Sequence, residues 1–177
     1  MASRINIAPL SIIVAVDQDG GFGKGGKIPW HFKEDFDHFK EKTKDSVCIM
    51  GRKTYEDMLE MVKARKKDKT KVIKEVLPGR MCFVVTRNKD YKAEGATVVQ
   101  SITQAVQSLD QTDKREVFIL GGFRMYVEGL AWANKVYMTI VKDKFDCDVF
   151  FPVKSLERFK ISEGRQTKEL DFLTYTI

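Results

Sequence analysis

The chain is poor in cysteine and contains no apolar run of membrane-spanning length. Three cysteines are an odd number, and none forms a C-x-x-C pair, so neither a disulfide framework nor a structural zinc site is expected. Cys48 and Cys82 fall inside apolar, strand-like runs, where a thiol acts as core filler. The N-terminal stretch lacks the basic start, apolar stretch and small-residue site of a signal peptide, and a reducing cytoplasm is the expected setting. Internal repeats and low-complexity linkers are missing too. What is present is ordinary: 177 residues, 43% hydrophobic and 32% charged, enough for one domain spanning 1–177 and too short for two.

The net charge of +6 would suggest a polyanion partner if it were spread over the chain. It is not. Residues 63–74, KARKKDKTKVIK, hold seven basic residues and one acidic one, which accounts for the whole excess and leaves the remainder neutral. Such a run is ordinarily a solvated surface feature.

Strand and helix patterns alternate along the chain. LSIIVAV (10–16), SVCIMG (46–51), MCFVVT (81–86), TVVQ (97–100), EVFILGG (116–122) and KVYMTIV (135–141) read as buried strands. FKISEG (159–164) and LDFLTYTI (170–177) alternate as two antiparallel strands. Tyr55, Met58, Leu59 and Val62 recur at helical spacing, in a helix expected to run into the basic segment and stop before LPGR (77–80). ITQAVQSL (102–109) predicts a helix capped by Ser101, and another starts near Phe123. This order predicts an α/β three-layer fold: a predominantly parallel central sheet of about eight strands, an antiparallel C-terminal edge and flanking helices.

In IPWHFKEDFDHF (28–39) a helix groups Phe32, Phe36 and Phe39 on one face. Asp35 borders that face, whereas Glu34, Asp37 and Glu41 point away. A carboxylate beside aromatic rings loses hydration, and its pKa rises toward a proton-donating range. The plainer reading, an early-helix acid serving the macrodipole or a cap, is common.

Gly21 to Lys27 matches G-x-x-x-x-G-K after a strand, but Ile28 lacks the hydroxyl that would hold magnesium and Pro29 blocks a helix in register. A glycine-rich lid over a site is the alternative. LGGFRMY (120–126) brings glycine backbone and a helix N-terminus to one place. Arg52 with Thr54, and Thr86 with Arg87, stand just past strand ends, the edge where open parallel sheets bind ligands. Together these exits suggest a phosphate-bearing dinucleotide, with arginines favouring NADPH over NADH.

Taken in order, IVAV (13–16), GFGKGGKIPW (21–30), the helix with Asp35 and Phe39, IMGRKTYE (49–56), LPGR (77–80), VVTRN (84–88), LGGFRMY (120–126), VYMTIV (136–141) and DVFFP (148–152) resemble the dihydrofolate reductase family over nearly the whole chain. The resemblance implies NADPH-dependent reduction of dihydrofolate within one-carbon metabolism, sensitivity to antifolate inhibitors, and a monomer needing neither metal nor membrane. It implies that Asp35 binds the pterin and promotes its protonation, with Thr139 orienting the carboxylate and Trp30 holding a water. It assigns Ile13, Phe36, Phe39, Met58, Leu120 and Tyr126 to the substrate walls, and Arg80 to the α-carboxylate of the glutamyl tail. On the cofactor side it implies Ala15 at the nicotinamide, Phe22, Gly23 and Lys24 in the lid, and Arg52, Lys53 and Thr54 at the phosphates. Thr86 and Arg87 fall at the adenosine end, and Gly121, Gly122, Phe123, Arg124, Met125 and Tyr126 around the pyrophosphate and nicotinamide. A cis peptide between Gly121 and Gly122, and Asp148 bonded to the lid, are implied as well. His31 and His38 are left as surface or capping residues.

The stretch at about 59–76 is longer than in compact members of that family, a basic insertion that puts the pocket role of Met58 in question. Two other readings stand beside the first. One is the related NADPH-dependent reductase of the riboflavin pathway, which lacks the PW-x4-D helix. The other is an added binding role for residues 63–74 toward nucleic acid, membrane or an acidic partner, or toward the carboxylates of polyglutamylated folate.

Overall fold

The computed structural model describes residues 9–177. Its elements, in chain order, are β1 (Leu10–Val16), β2 (Gly21–Gly23), α1 (Lys33–Lys42), β3 (Val47–Gly51), α2 (Arg52–Arg65), β4 (Met81–Val85), β5 (Ala96–Val99), α3 (Ile102–Gln107), β6 (Val117–Ile119), α4 (Phe123–Leu130), β7 (Lys135–Val141), β8 (Val149–Phe150), β9 (Lys160–Gln166) and β10 (Leu170–Thr176). Eight strands form one sheet in the order β5-β4-β3-β6-β1-β7-β10-β9. Neighbours from β5 to β7 are parallel, and β7-β10-β9 are antiparallel.

Period-two alternation sorts the strand side chains between two cores. From β1, Leu10, Ile12, Val14 and Val16 face a cluster shared with Ile102 and Ala105 of α3 and Tyr126 and Leu130 of α4. Ile13 faces the other side, with Tyr55 of α2 and the partly buried Phe39, Met58 and Leu59. The sheet is thus the middle of three layers, as its strand–helix alternation predicts. Ser101 caps α3 by accepting from the Gln104 amide at 3.0 Å.

Several local expectations are corrected. The strand expected over 116–122 is regular only from Val117 to Ile119, since the double glycine turns into α4. α2 does enter the basic segment and stop before LPGR as expected, ending at Arg65. The rest of that segment folds back: the Lys66 ammonium bonds the carbonyls of Lys71 and Val72, and Ile73 and Val76 are buried. The glycine loop is not all irregular, because β2 pairs with β8 in a separate two-stranded sheet. His38 is half-buried rather than a plain surface or capping residue: its ring lies 4.5 Å from Phe172, and partial burial, with Lys42 and Arg165 nearby, holds its pKa down at about 4. Cys48 and Cys82 are buried, free and register partners across β3 and β4. No helix among the described residues is long and apolar enough to cross a membrane.

Candidate active site

A cleft of about 1810 Å³ opens across the C-terminal ends of the parallel strands. Its position follows from topology, since loops leaving adjacent strands on one edge diverge and leave a crevice. β1 contributes Ile13 and Ala15, α1 contributes Asp35, Phe36 and Phe39, α2 contributes Arg52, Lys53, Thr54 and Met58, and β7 contributes Thr139. Trp30, Arg80, Thr86, Arg87 and Leu120 line it, as does the run from Gly121 to Tyr126. The insertion therefore does not re-aim Met58 away from the cleft. Among the lid residues, Phe22 and Gly23 line the cleft but Lys24 does not. Lys24 and Lys27 exchange backbone hydrogen bonds in a tight turn, and Gly26, Lys27 and Ile28 meet the cleft instead.

Four acidic residues line this space, and their surroundings differ. Asp57 pairs with Lys53 at 3.4 Å, and Glu60 and Glu128 are exposed. Asp35 is half-buried in the first turn of α1. The N-cap of that helix is Phe32, with no side-chain cap bond, so Asp35 is not spent as a cap. Desolvation pushes its carboxyl above the usual carboxylate range, and a hydrogen bond from the buried Thr139 hydroxyl offsets part of that rise. Thr139 is placed by register, opposite Ala15 on one side and Phe172 on the other. Trp30 is braced by Phe145, with ring centroids 5.1 Å apart.

At the other end the chemistry suits an anion. α2 and α4 begin at Gly51 and Gly122, and neither has an acid in its first turn, unlike α1 with Glu34 and Asp35. Free backbone amides and Arg52 or Arg124 stand there instead. The peptide between Gly121 and Gly122 is cis, as the resemblance implies. The Gly51 amide bonds the Gly121 carbonyl at 2.9 Å, which joins the two helix starts. A Cβ placed on Gly122 would meet nothing nearer than the Thr54 hydroxyl at 3.9 Å, so backbone is open to a ligand there. Tyr126 is buried and its single hydroxyl proton is shared between the carbonyls of Ile13 and Leu120, at 3.1 and 3.0 Å, tying α4 to two strand ends. Phe22 packs edge-on against it at 5.3 Å.

Two carboxylates anchor the lid. The Asp148 carboxylate accepts the Gly25 amide at 2.9 Å, as the resemblance implies. Asp17, which the sequence patterns did not single out, is buried and accepts the amides of Asp19, Gly21 and Phe145. Asn88, Gln100 and Lys40 also line the cleft without having been picked out, and Arg65, noted only within the basic run 63–74, lines it too. Only the strand-end rule could have flagged Gln100 and Asn88, because each follows a strand on the same edge.

A family model described as dihydrofolate reductase matches residues 9–176. The chain belongs to the dihydrofolate reductase family. Relatives with that description include one from Buchnera aphidicola subsp. Baizongia pistaciae, 34% identical over 174 residues, covering 95% of this chain and 96% of that protein. Dihydrofolate reductase type 3 of Salmonella typhimurium is 35% identical over 143 residues, 81% of this chain and 78% of that one. Among solved structures, the Enterococcus faecalis dihydrofolate reductase complexed with NADP(H) and RAB-propyl superposes with a TM-score of 0.78 at 30% identity, covering 95% of both chains. Family membership sets the riboflavin-pathway reading aside.

Proposed function

We infer that the protein reduces 7,8-dihydrofolate to 5,6,7,8-tetrahydrofolate with NADPH, and that Asp35 promotes the protonation that accompanies hydride transfer. The observation that carries the Asp35 assignment is its setting: a carboxyl pushed up by desolvation, steadied by Thr139, in a cleft that also offers two acid-free helix starts. NADPH, when bound, supplies the hydride. The protein's share is orientation, exclusion of water and one proton. Asp35 binds the amino group and neighbouring ring nitrogen of the pterin, and its raised pKa lets it hold a proton to higher pH than an ordinary carboxylate would. Trp30 holds a water beside it. Phe36, Phe39, Met58 and Leu120 wall the flat ring and benzoyl group, leaving one ring face toward Ala15 and the Gly121–Gly122 turn. Arg52, Lys53 and Thr54, with the α2 and α4 amides, hold the phosphates. Thr86 and Arg87 take the adenosine end.

The test is the loss of NADPH absorbance on adding dihydrofolate. Asp35→Asn, with both ligands still bound, should lower kcat at neutral pH by about two to three orders of magnitude, the usual worth of one positioned acid. Its activity should climb as pH falls and solvent pre-protonates the substrate. Wild-type activity should decline as pH rises past the elevated Asp35 pKa. An Asn variant as fast as wild type at neutral pH would remove Asp35 from the proton path.

A further inference from the structure

α1 carries Asp35, yet none of its residues is fully buried and its N-cap makes no side-chain hydrogen bond. Core packing alone therefore leaves its first turn weakly held. Strand register shows what holds it. Arg165 of β9 stands opposite Phe172 of β10, Phe172 opposite Thr139 of β7, and Thr139 opposite Ala15 of β1. Directly paired residues point to the same side of a sheet, so these four form one row, running from the outer edge to the cleft.

α1 touches this row at three places. Glu34 pairs with Arg165 at 2.9 Å, the His38 ring lies 4.5 Å from the Phe172 ring, and Asp35 accepts from the Thr139 hydroxyl. Glu34 and His38 are four residues apart and share a helix face, with Asp35 beside it. The row is also joined to itself, because the Arg165 guanidinium lies 4.1 Å from the centroid of the buried Phe172 ring. A flat guanidinium can stack on a ring and pair with a carboxylate at once, which an ammonium does poorly. Among the described residues, Glu34–Arg165 is the one ion pair that ties α1 to another element. The charged groups facing His38 are Glu41 and Lys42 from its own helix and Arg165 from β9. His38 is neutral at neutral pH, so the ring it shares with Arg165 carries one cation and not two.

We propose that Arg165 is a positioning residue for the reaction: stacked on Phe172 and gripping Glu34, it seats the first turn of α1 and so keeps the Asp35 carboxyl against Thr139. It acts from the far edge of the sheet, since neither Arg165 nor Glu34 lines the cleft. The proposal rests on the dihydrofolate reading given above.

The test follows single-turnover oxidation of NADPH by dihydrofolate across pH, in wild type, Arg165→Ala, Glu34→Gln, the double variant and Arg165→Lys. A loosened first turn readmits water to Asp35 and lets its pKa fall back toward the ordinary carboxylate value. Arg165→Ala and Glu34→Gln should each slow the step about threefold at neutral pH, the size of one exposed charged contact, and both should move the pH midpoint downward. NADPH affinity should stay unmoved. The double variant should be no slower than either single one, because both remove the same grip, and Arg165→Lys should recover part of the loss. Distant charge effects alone give the opposite pattern, the midpoint rising without Arg165 and falling without Glu34, and that result overturns the proposal. An unmoved pH profile in both single variants overturns it too, leaving a surface ion pair with the reductase reading intact. A wild type that oxidises no NADPH with dihydrofolate sinks both.

Discussion

Replacing Asp17 tests how the lid is held. This carboxylate is 2% exposed and accepts the amides of Asp19 and Gly21 at 2.9 Å on Oδ1, and that of Phe145 at 3.1 Å on Oδ2. The first two shape the turn that starts the lid, and the third ties that turn to the segment before β8. Phe145 in turn braces Trp30 beside Asp35. Asp17→Ala would leave the buried Gly21 amide and the part-buried Asp19 and Phe145 amides without their acceptor. At about 1–3 kcal/mol for each unsatisfied group, with partial relaxation and water entry, the loss should be about 3–5 kcal/mol. At 2–4 °C per kcal/mol for a domain of this size, that lowers Tm by about 10 °C. Asp17→Asn keeps one acceptor oxygen for Asp19 and Gly21 but sets an NH2 against the Phe145 amide, so about half the loss should remain.

The pH dependence carries its own sign. Burial alone would raise the Asp17 pKa, but the amides of Phe145, Gly21 and Asp19 and the Cys147 thiol outweigh it and hold the group below its usual 3.8. A depressed carboxylate contributes stability above the unfolded value and loses it as pH falls through the folded one. Urea titrations followed by tryptophan fluorescence should therefore show the gap between wild type and Asn variant full at neutral pH and closing only below about pH 4. A loss under about 1 kcal/mol for Asp17→Ala, within reach of an ordinary surface change, would refute the three-bond anchor.

Three further outcomes follow from other parts of the fold. His38 should titrate near 4 by NMR; because its folded pKa lies below the unfolded 6.5, it should cost stability as pH falls from about 6.5 toward 4, and His38→Gln should flatten that slope. Gly95 has φ +69°, and a Cβ there would sit 2.2 Å from the Lys74 carbonyl, so Gly95→Ala should cost about 2–4 kcal/mol in urea unfolding; a neutral result would mean that the insertion is not packed against the start of β5. Asp148→Ala removes an exposed lid bond, so stability should change by less than about 1 kcal/mol while stopped-flow NADPH release quickens several-fold; unchanged release would remove Asp148 from lid control.

Most of the eight main-sheet strands were legible because each is a short apolar run bounded by turn residues, whereas β9 is exposed along its whole length and was legible only from the alternation in FKISEG. β2 was not, since Gly21–Gly23 has no side-chain pattern and exists only by pairing with β8, more than a hundred residues away. Asp35 could be found because Phe32, Phe36 and Phe39 share its helix, so its apolar setting is a local property. Asp17 could not, because Phe145 and Cys147 reach it from another segment. His38 was misread for the same reason: its partner Phe172 comes from β10, at the far end of the chain.

By itself the sequence determined the strand and helix order, the sheet's parallel body with its antiparallel edge, and the set of strand exits that make a cleft. Those depend on hydrophobic period and glycine placement within a few residues. Tertiary structure alone decided how acidic Asp35 and His38 are, which carboxylate anchors the lid, and that the end of α2 brings Arg65 to Phe36. Desolvation and contact between distant segments are sums over neighbours that only the folded chain assembles.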